Sequence, residues 1–304
     1  MRRAGAILLV VLGAALCAAP RASASVREYW VAAVDVSWNM IPNGHDAMTG
    51  TLYTPAQSVF PTVVYKRFTK DWKRPLRNTP EQDYIPGPLL RARVGDRILV
   101  HFKNEDRVFG RPHSMHFHGV SYKPSSDGAY LPGFSGRDAD VKVGRTWTYR
   151  LHAIAASAGV WPYHDHSPAM DDSIAGGMYG ALSILGAHQP TPDREFVVIF
   201  QEMGQFQTID GRAFVGNTPV FHSRVGDLVQ WDVLAMGSEH HTFHVHGHRW
   251  VDASGRDVDT QTVGPAESYE IRWRERTPGT WLYHCHVEQH MMAGMIGIYQ
   301  VSRR

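Results

Sequence analysis

One stretch near the C-terminus, Trp281-Leu282-Tyr283-His284-Cys285-His286, sets a thiol between two imidazoles. His290 follows five residues after the thiol and Met295 ten residues after it. Cys, His and a weakly bound Met around one metal are the ligand set of a blue-copper site. Along a strand, neighbouring side chains point to opposite faces. Cys285 can therefore serve one metal while His284 and His286 face a second centre. The short covalent path between them is suited to carrying electrons.

Three further clusters accompany it: His116-x-His118, His164-x-His166 and His241-x-x-His244-x-His246. His-x-His on a strand places two imidazoles on one face about 7 Å apart, so that they can serve adjacent metals. An isolated pair of this kind is weak evidence. Four clusters, one of them containing the Cys, make a metal assembly the economical explanation.

The clusters belong to an internal repeat. Arg93-Val94-Gly95-Asp96 recurs as Arg224-Val225-Gly226-Asp227, and His113-x-x-His116-x-His118-Gly119 as His241-x-x-His244-x-His246-Gly247. Val143-Gly144 recurs as Val263-Gly264, and Tyr163-His164-Asp165-His166 as Tyr283-His284-Cys285-His286, both at an offset of 120 residues. At that offset Asp165 stands where the second copy has Cys285, Met170 where it has His290, and Ala175 where it has Met295. The first copy lacks the soft thiolate, so a blue site belongs to the second copy alone. His113 then reads as a leftover of the repeat or a supporting residue rather than a ligand.

The elements that must hold these residues read as strands. Ile98, Val100 and Phe102 alternate with Leu99, His101 and Lys103, and Val229, Trp231 and Val233 with Gln230 and Asp232. Trp147, Tyr149 and Leu151, and later Tyr269, Ile271 and Trp273, alternate in the same way. Period-2 runs bounded by Gly, Pro and Asp predict antiparallel sandwiches, and no long stretch has helical periodicity. The segment from Val26 to Asp83 reads only as opening strands and a long loop.

The chain has 304 residues, 43% hydrophobic and 20% charged, enough for one large or two medium β-rich domains. A net charge of +2 gives no reason to expect a nucleic-acid partner. Residues 1–24 read as a signal peptide: Arg2-Arg3, an apolar run from Ala4 to Ala19, and a cleavage motif at Ala22-Ser23-Ala24. That run is too short for a membrane span, which needs about 20 residues. The mature chain, secreted or periplasmic, would begin near Ser25 with Cys285 as its single cysteine; Cys17 leaves with the signal. We expect a first domain over residues 25–186, a linker over 187–193 around Pro190 and Pro192, and a second domain over 194–304.

These motifs resemble those of the multicopper oxidases, and their arrangement is similar to the two-domain, or small, laccases, over essentially the whole mature chain. The resemblance implies an all-β chain of two cupredoxin-like Greek-key β-sandwiches and four coppers per chain. His241, Cys285, His290 and axial Met295 would hold the type 1 copper. His116 and His244 would hold the type 2 copper, and His118, His164, His166, His246, His284 and His286 the type 3 pair. That uses ten of the 18 histidines. His45, His101, His113, His152, His188, His222 and His240 receive no ligand role, and His248 could orient a ligand from behind.

The implied activity is one-electron oxidation of phenols or similar reductants, with electrons entering at His290, coupled to reduction of O2 to water. A metallo-oxidase acting on Cu(I), Fe(II) or Mn(II) would carry the same ligands; Met170, Met178, Met291 and Met292 are its soft-donor candidates. Asp127 and Glu288 are candidate proton relays, although Asp-Gly at 127–128 is also an ordinary turn pair. Tyr122 is a candidate electron donor beside the cluster. Because the cluster takes ligands from both repeats, the resemblance implies a homotrimer with the clusters at its interfaces. A copper nitrite reductase carries its blue site in the first domain and needs fewer histidines, and an electron carrier needs one metal only.

Overall fold

The computed structural model describes residues 25–303, so the signal-peptide reading of residues 1–24 and Cys17 lies outside the described residues. The first half contributes β1 (Val26–Asn39), β2 (Val59–Phe68), β3 (Leu90–Arg93), β4 (Arg97–Glu105), β5 (His116–Phe117), β6 (Ser121–Tyr122), β7 (Thr146–His152), β8 (Gly159–His164) and β9 (Tyr179–Leu185). They form two sheets, ordered β2-β1-β4-β7-β6 and β3-β9-β8-β5. The second half contributes β10 (Arg194–Met203), β11 (Phe206–Ile209), β12 (Val220–Arg224), β13 (Leu228–Ala235), β14 (His241–Val245), β15 (Trp250–Val251), β16 (Asp257–Val258), β17 (Thr260–Val263), β18 (Ser268–Arg274), β19 (Gly279–Cys285) and β20 (Ile296–Ser302). Its sheets run β11-β10-β13-β18 and β12-β20-β19-β14-β17, beside a β15-β16 ribbon. The helices are short: α1 (Pro55–Ser58), α2 (Met170–Ala175) and α3 (Glu288–Met292).

This is the all-β, cupredoxin-like pair of Greek-key sandwiches, and the repeat extends to strand pairing. β1 and β10 each pair antiparallel with the next strand and parallel with β4 and β13. β3 with β9, and β12 with β20, are likewise parallel. The expectation of purely antiparallel sheets is corrected on this point. Alternation reports which face is buried and carries no information about strand direction.

Each sandwich encloses its own core. Ile98, Val100 and Phe102 pack with Phe117, Tyr149 and Tyr163 in the first, and Phe221, Trp231 and Phe243 with Tyr283 in the second. Burying an aromatic of this size contributes up to about 3 kcal/mol. A third apolar cluster joins the halves, with Trp38, Ile85 and Tyr179 from one and Val197, Ile199 and Leu234 from the other. That seam explains β13, where Gln230 and Asp232 are as buried as the apolar residues between them. Their face lies against the first sandwich rather than water. Gln230 donates to Ser183 Oγ at 3.1 Å and to Asp232 Oδ1 at 2.8 Å across and along the seam.

Two tyrosines fix the ligand strands. Tyr163 Oη donates to the Pro88 carbonyl at 2.6 Å and Tyr283 Oη to the Pro219 carbonyl at 2.7 Å. The glycine that ends each His-x-His-Gly motif also has a physical reason. Gly119 and Gly247 both sit at φ +71°, and a Cβ there would fall 2.0 Å from the Trp161 ring and 2.7 Å from the Trp281 ring. Only glycine allows the chain to turn over the indole at that point.

Candidate metal centres

The strand registers set the histidines. His116 lies opposite His164 in the β5/β8 pair, and His244 opposite His284 in β14/β19. In the first sandwich the rings of His116, His118, His164 and His166 lie together, with neighbouring centroids 5.1–5.7 Å apart. His118 Nε2 and His164 Nε2 are 3.2 Å apart. In the second, His244, His246, His284 and His286 form a matching group at 5.2–5.4 Å, with 3.1 Å between His246 Nε2 and His284 Nε2.

Backbone carbonyls aim these rings. His164 Nδ1 donates to the Asp165 carbonyl and His284 Nδ1 to the Cys285 carbonyl, each at 2.9 Å. His116 Nδ1 and His244 Nδ1 donate to the carbonyls of Asp127 and Asp259, each at 2.7 Å. In all four the Nδ1–H is used, which leaves Nε2 as a lone-pair donor. Burial, aided by neighbouring imidazoles, pushes His118, His164 and His284 down to about 4. They are neutral near pH 7, the state that binds metal.

Cys285 faces the opposite way, as its place on the strand requires. Its Sγ lies 3.9 Å from His241 Nδ1 and 3.7 Å from His290 Nδ1, and those two nitrogens are 3.1 Å apart. Donors about 2.0–2.3 Å from one ion are separated by about 3–4 Å, so the triad has the size of a metal site. Burial pushes the Cys285 thiol up, against backbone N–H donors from Thr242 and Val287. Without a cation this buried sulfur is an inert thiol; a bound cation is what stabilises its thiolate. His241 is pushed down to about 3 by burial and by His290, and its Nε2 is buried without a partner. Met295 is fully buried in the same core, its amide bonded to the His290 carbonyl and its carbonyl to the Cys285 amide. The donors present fit copper.

His113 differs from its counterpart His241. Its Nδ1 meets Asp165 Oδ2 at 3.0 Å and its Nε2 meets Asp106 Oδ2 at 3.2 Å, all three groups being buried. Both of its nitrogens are occupied by carboxylates. His248 is buried too, donating from Nδ1 to the His246 carbonyl at 2.7 Å and meeting both Glu275 oxygens at 3.1 Å.

Among the acid and redox candidates, Asp127 and Tyr122 adjoin the first histidine group. Asp127 Oδ1 lies 3.5 Å from His116 Nδ1, and the Tyr122 ring is 6.3 Å from the His116 ring. Burial and the nearby Asp127 charge push Tyr122 up to about 12. Glu288 opens α3 with an exposed side chain. Two carboxylate residues escaped the sequence reading. Glu239 Oε2 lies 2.8 Å from His290 Nε2, and Glu202 Oε1 accepts the Glu239 amide at 2.6 Å. Asp259, which aims His244, lies 15 residues downstream of it and belongs to no motif.

Residues 78–189 and 188–304 each match a multicopper oxidase family model, and the chain belongs to that family. Ferroxidase HEPHL1 of Homo sapiens is 29% identical over 91% of this chain and 29% of its own length. Ceruloplasmin of Homo sapiens is 28% identical over 90% of this chain and 30% of its own. The chain thus spans less than a third of the length of these curated relatives. A solved multicopper oxidase superposes with TM-score 0.69 at 22% identity, covering 91% of this chain and 89% of that one. A blue copper oxidase from Nitrosomonas europaea superposes with TM-score 0.67 at 21% identity, covering 91% and 86%. Among the described residues no helix is long and apolar enough to cross a membrane.

Proposed function

We propose that the protein is an O2-reducing copper oxidase that takes electrons singly from small reductants and returns four of them to oxygen as water. The observation that carries this reading is β19 itself. One face presents Cys285 to His241 and His290, while the flanking His284 joins His244 and His246 on the other. Bound copper would supply one-electron acceptance at the first set and O2 reduction at the second. The assignment we favour is His241, Cys285, His290 and Met295 for type 1, His116 and His244 for type 2, and His118, His164, His166, His246, His284 and His286 for type 3, four coppers in all. The units would be 25–186 and 194–304, joined by 187–193, with residues 1–24 directing export.

The chain's own groups have definable tasks. Glu239 holds the outer edge of His290, where electrons enter. The Cys285 peptide joins that site to His284 and His286. Asp127, near Tyr122 and 3.5 Å from His116 Nδ1, is placed to hold a proton beside the first histidine group; Glu288 is the second relay candidate. Stopped-flow reoxidation of an Asp127→Ala variant should be slow while reduction by substrate stays fast.

The two histidine groups form separate candidate sites in different sandwiches. A heterologous ring of copies would bring the first group of one subunit against the second of the next. Three copies is the number the small-laccase resemblance implies.

For the reductant we keep phenols as the first reading. A metal cation is the second, favoured by the Glu239–His290 contact, because carboxylates over an electron-entry histidine attract cations. Oxygen uptake by the copper-loaded protein, with 2,6-dimethoxyphenol, Cu(I) and Fe(II) compared, tests both. Fast uptake with the phenol supports the laccase reading, and fast uptake with the ions alone supports the metallo-oxidase. No uptake with any of them contradicts the oxidase.

A further inference from the structure

Two large apolar side chains stand beside the first histidine group with nothing covering them. Phe134 is 85% exposed and Leu131 58% exposed. They belong to one tight turn, Leu131-Pro132-Gly133-Phe134-Ser135, that is built to hold its shape. The amides of Phe134 and Ser135 both donate to the Leu131 carbonyl at 3.1 Å, and Ser135 Oγ donates to the same carbonyl at 2.8 Å. Gly133 takes φ +80°, which favours glycine.

Both stems of the turn are tied to the site. Tyr130 donates its amide to the His166 carbonyl at 2.8 Å. On the other side, Asp138 Oδ2 accepts the Gly128 amide at 2.9 Å, and the Asp138 carbonyl accepts Tyr149 Oη at 2.6 Å. A rigid turn that holds Phe and Leu in water beside a half-set of ligands is an unfavourable surface for an isolated chain.

The second sandwich carries an open concavity at its own histidine group. It has a volume of about 740 Å3, with His244 and His246 on one side and Asp259, Thr280, Trp281 and Leu282 completing its lining. Each chain thus carries a protruding apolar turn at one half-site and a concave groove with an indole wall at the other. The two features differ from each other, as the two sides of a ring-closing heterologous contact must.

We propose that the Leu131–Phe134 turn is the anchor by which one copy of this chain docks onto another, seating in the groove beside His244 and His246 of the neighbour. This rests on the reading that the histidine groups are completed between subunits, and it assigns the contact that brings them together. Central aromatic anchors carry most of the energy of such contacts.

The test pairs a Leu131→Asp/Phe134→Asp double variant and a single Phe134→Ser variant with the conservative Phe134→Leu, all in the full chain. Three quantities are measured: molar mass by light scattering over a concentration series, blue absorption, and copper per chain with its EPR signal. The disrupting variants should need roughly 100-fold more protein to assemble. They should keep the blue absorption, which reports an intact second sandwich, and lose the remaining copper. Phe134→Leu should assemble like the wild type. Unchanged assembly of the blue Phe134→Ser and double variants overturns the anchor while leaving the shared-site reading intact. A wild-type monomer with a full copper complement overturns the shared-site reading itself, and the anchor with it.

Discussion

The same place in the two sandwiches has been built in two ways. In the second, Cys285, His241 and His290 converge with donor separations of 3.1–3.9 Å, and His241 Nε2 has no partner. In the first, Asp165 occupies the Cys285 position and is saturated. His113 Nδ1, the Ser114 amide and Ser167 Oγ all contact its carboxylate within 2.8–3.0 Å, and Asp106 holds the far side of His113. Against the desolvation that would raise them, the Phe109 and Arg111 amides together with His113 hold Asp106, and His113, Ser114 and Ser167 hold Asp165, below the usual carboxylate range. One centre closes on itself and the other needs an ion to close. Both leave the cross-strand histidine pairs, His116–His164 and His244–His284, unchanged. The first sandwich therefore has no thiol at this place and still presents four imidazoles.

The largest effect should come from removing the one donor that separates the two centres. Cys285→Ser should abolish the blue absorption and turnover and lower the copper content by one per chain. Asp165→Cys should produce no blue absorption, because Met170 and Ala175 stand where His290 and Met295 would be needed. Any blue colour from that variant would break the comparison.

The next effect concerns stability. His113→Ala leaves Asp106 and Asp165 buried without their shared partner, which costs about 3–5 kcal/mol. Calorimetry of the copper-free protein should show a melting temperature lower by roughly 10 °C. In the same copper-free state Cys285→Ser should shift it far less.

The second sandwich has its own imidazole–carboxylate pair, His248 with Glu275, and its pH signature is testable. Against desolvation, hydrogen bonds from His248, Tyr299 and Trp273 hold Glu275 down to about 2. A depressed carboxyl contributes stability that is complete above its unfolded value and is lost as pH falls toward the folded one. Glu275→Gln should therefore cost about 2–3 kcal/mol at neutral pH and much less near pH 2. Denaturant unfolding at both pH values measures it; a constant penalty would contradict the assignment.

The smallest effects distinguish the two aspartates that aim His116 and His244. Both act through backbone carbonyls that alanine keeps. Only the Asp127 carboxylate also approaches its imidazole, and its charge is felt by Tyr122. Asp127→Ala should slow reoxidation by O2 about 100-fold and Asp259→Ala only a few-fold. Equal effects in stopped-flow would assign both carboxylates the same task.

The grouping of the histidines was legible because their spacing is set by strand geometry. His-x-His and the offset of 120 survive in any sheet that keeps its register. The absence of a thiol from the Cys285 position of the first sandwich was legible for the same reason, from Asp165 alone. What could not be read depends on contacts distant in sequence. Asp106 reaches His113 from the end of another strand, and Glu239 becomes notable only when α3 brings His290 against it. The burial of Gln230 and Asp232 depends on the neighbouring sandwich, which alternation along one strand does not report.

The most direct test of a centre shared between subunits is complementation. A His116→Ala/His118→Ala chain and a His244→Ala/His246→Ala chain are each inactive on this account, although both stay blue. Refolded together in equal amounts with copper, they should recover about a quarter of wild-type oxygen uptake, since one ordered neighbour pair in four carries both intact halves. No recovery from a mixture shown to contain hybrid assemblies would place all the ligands of each centre within one chain and contradict the account.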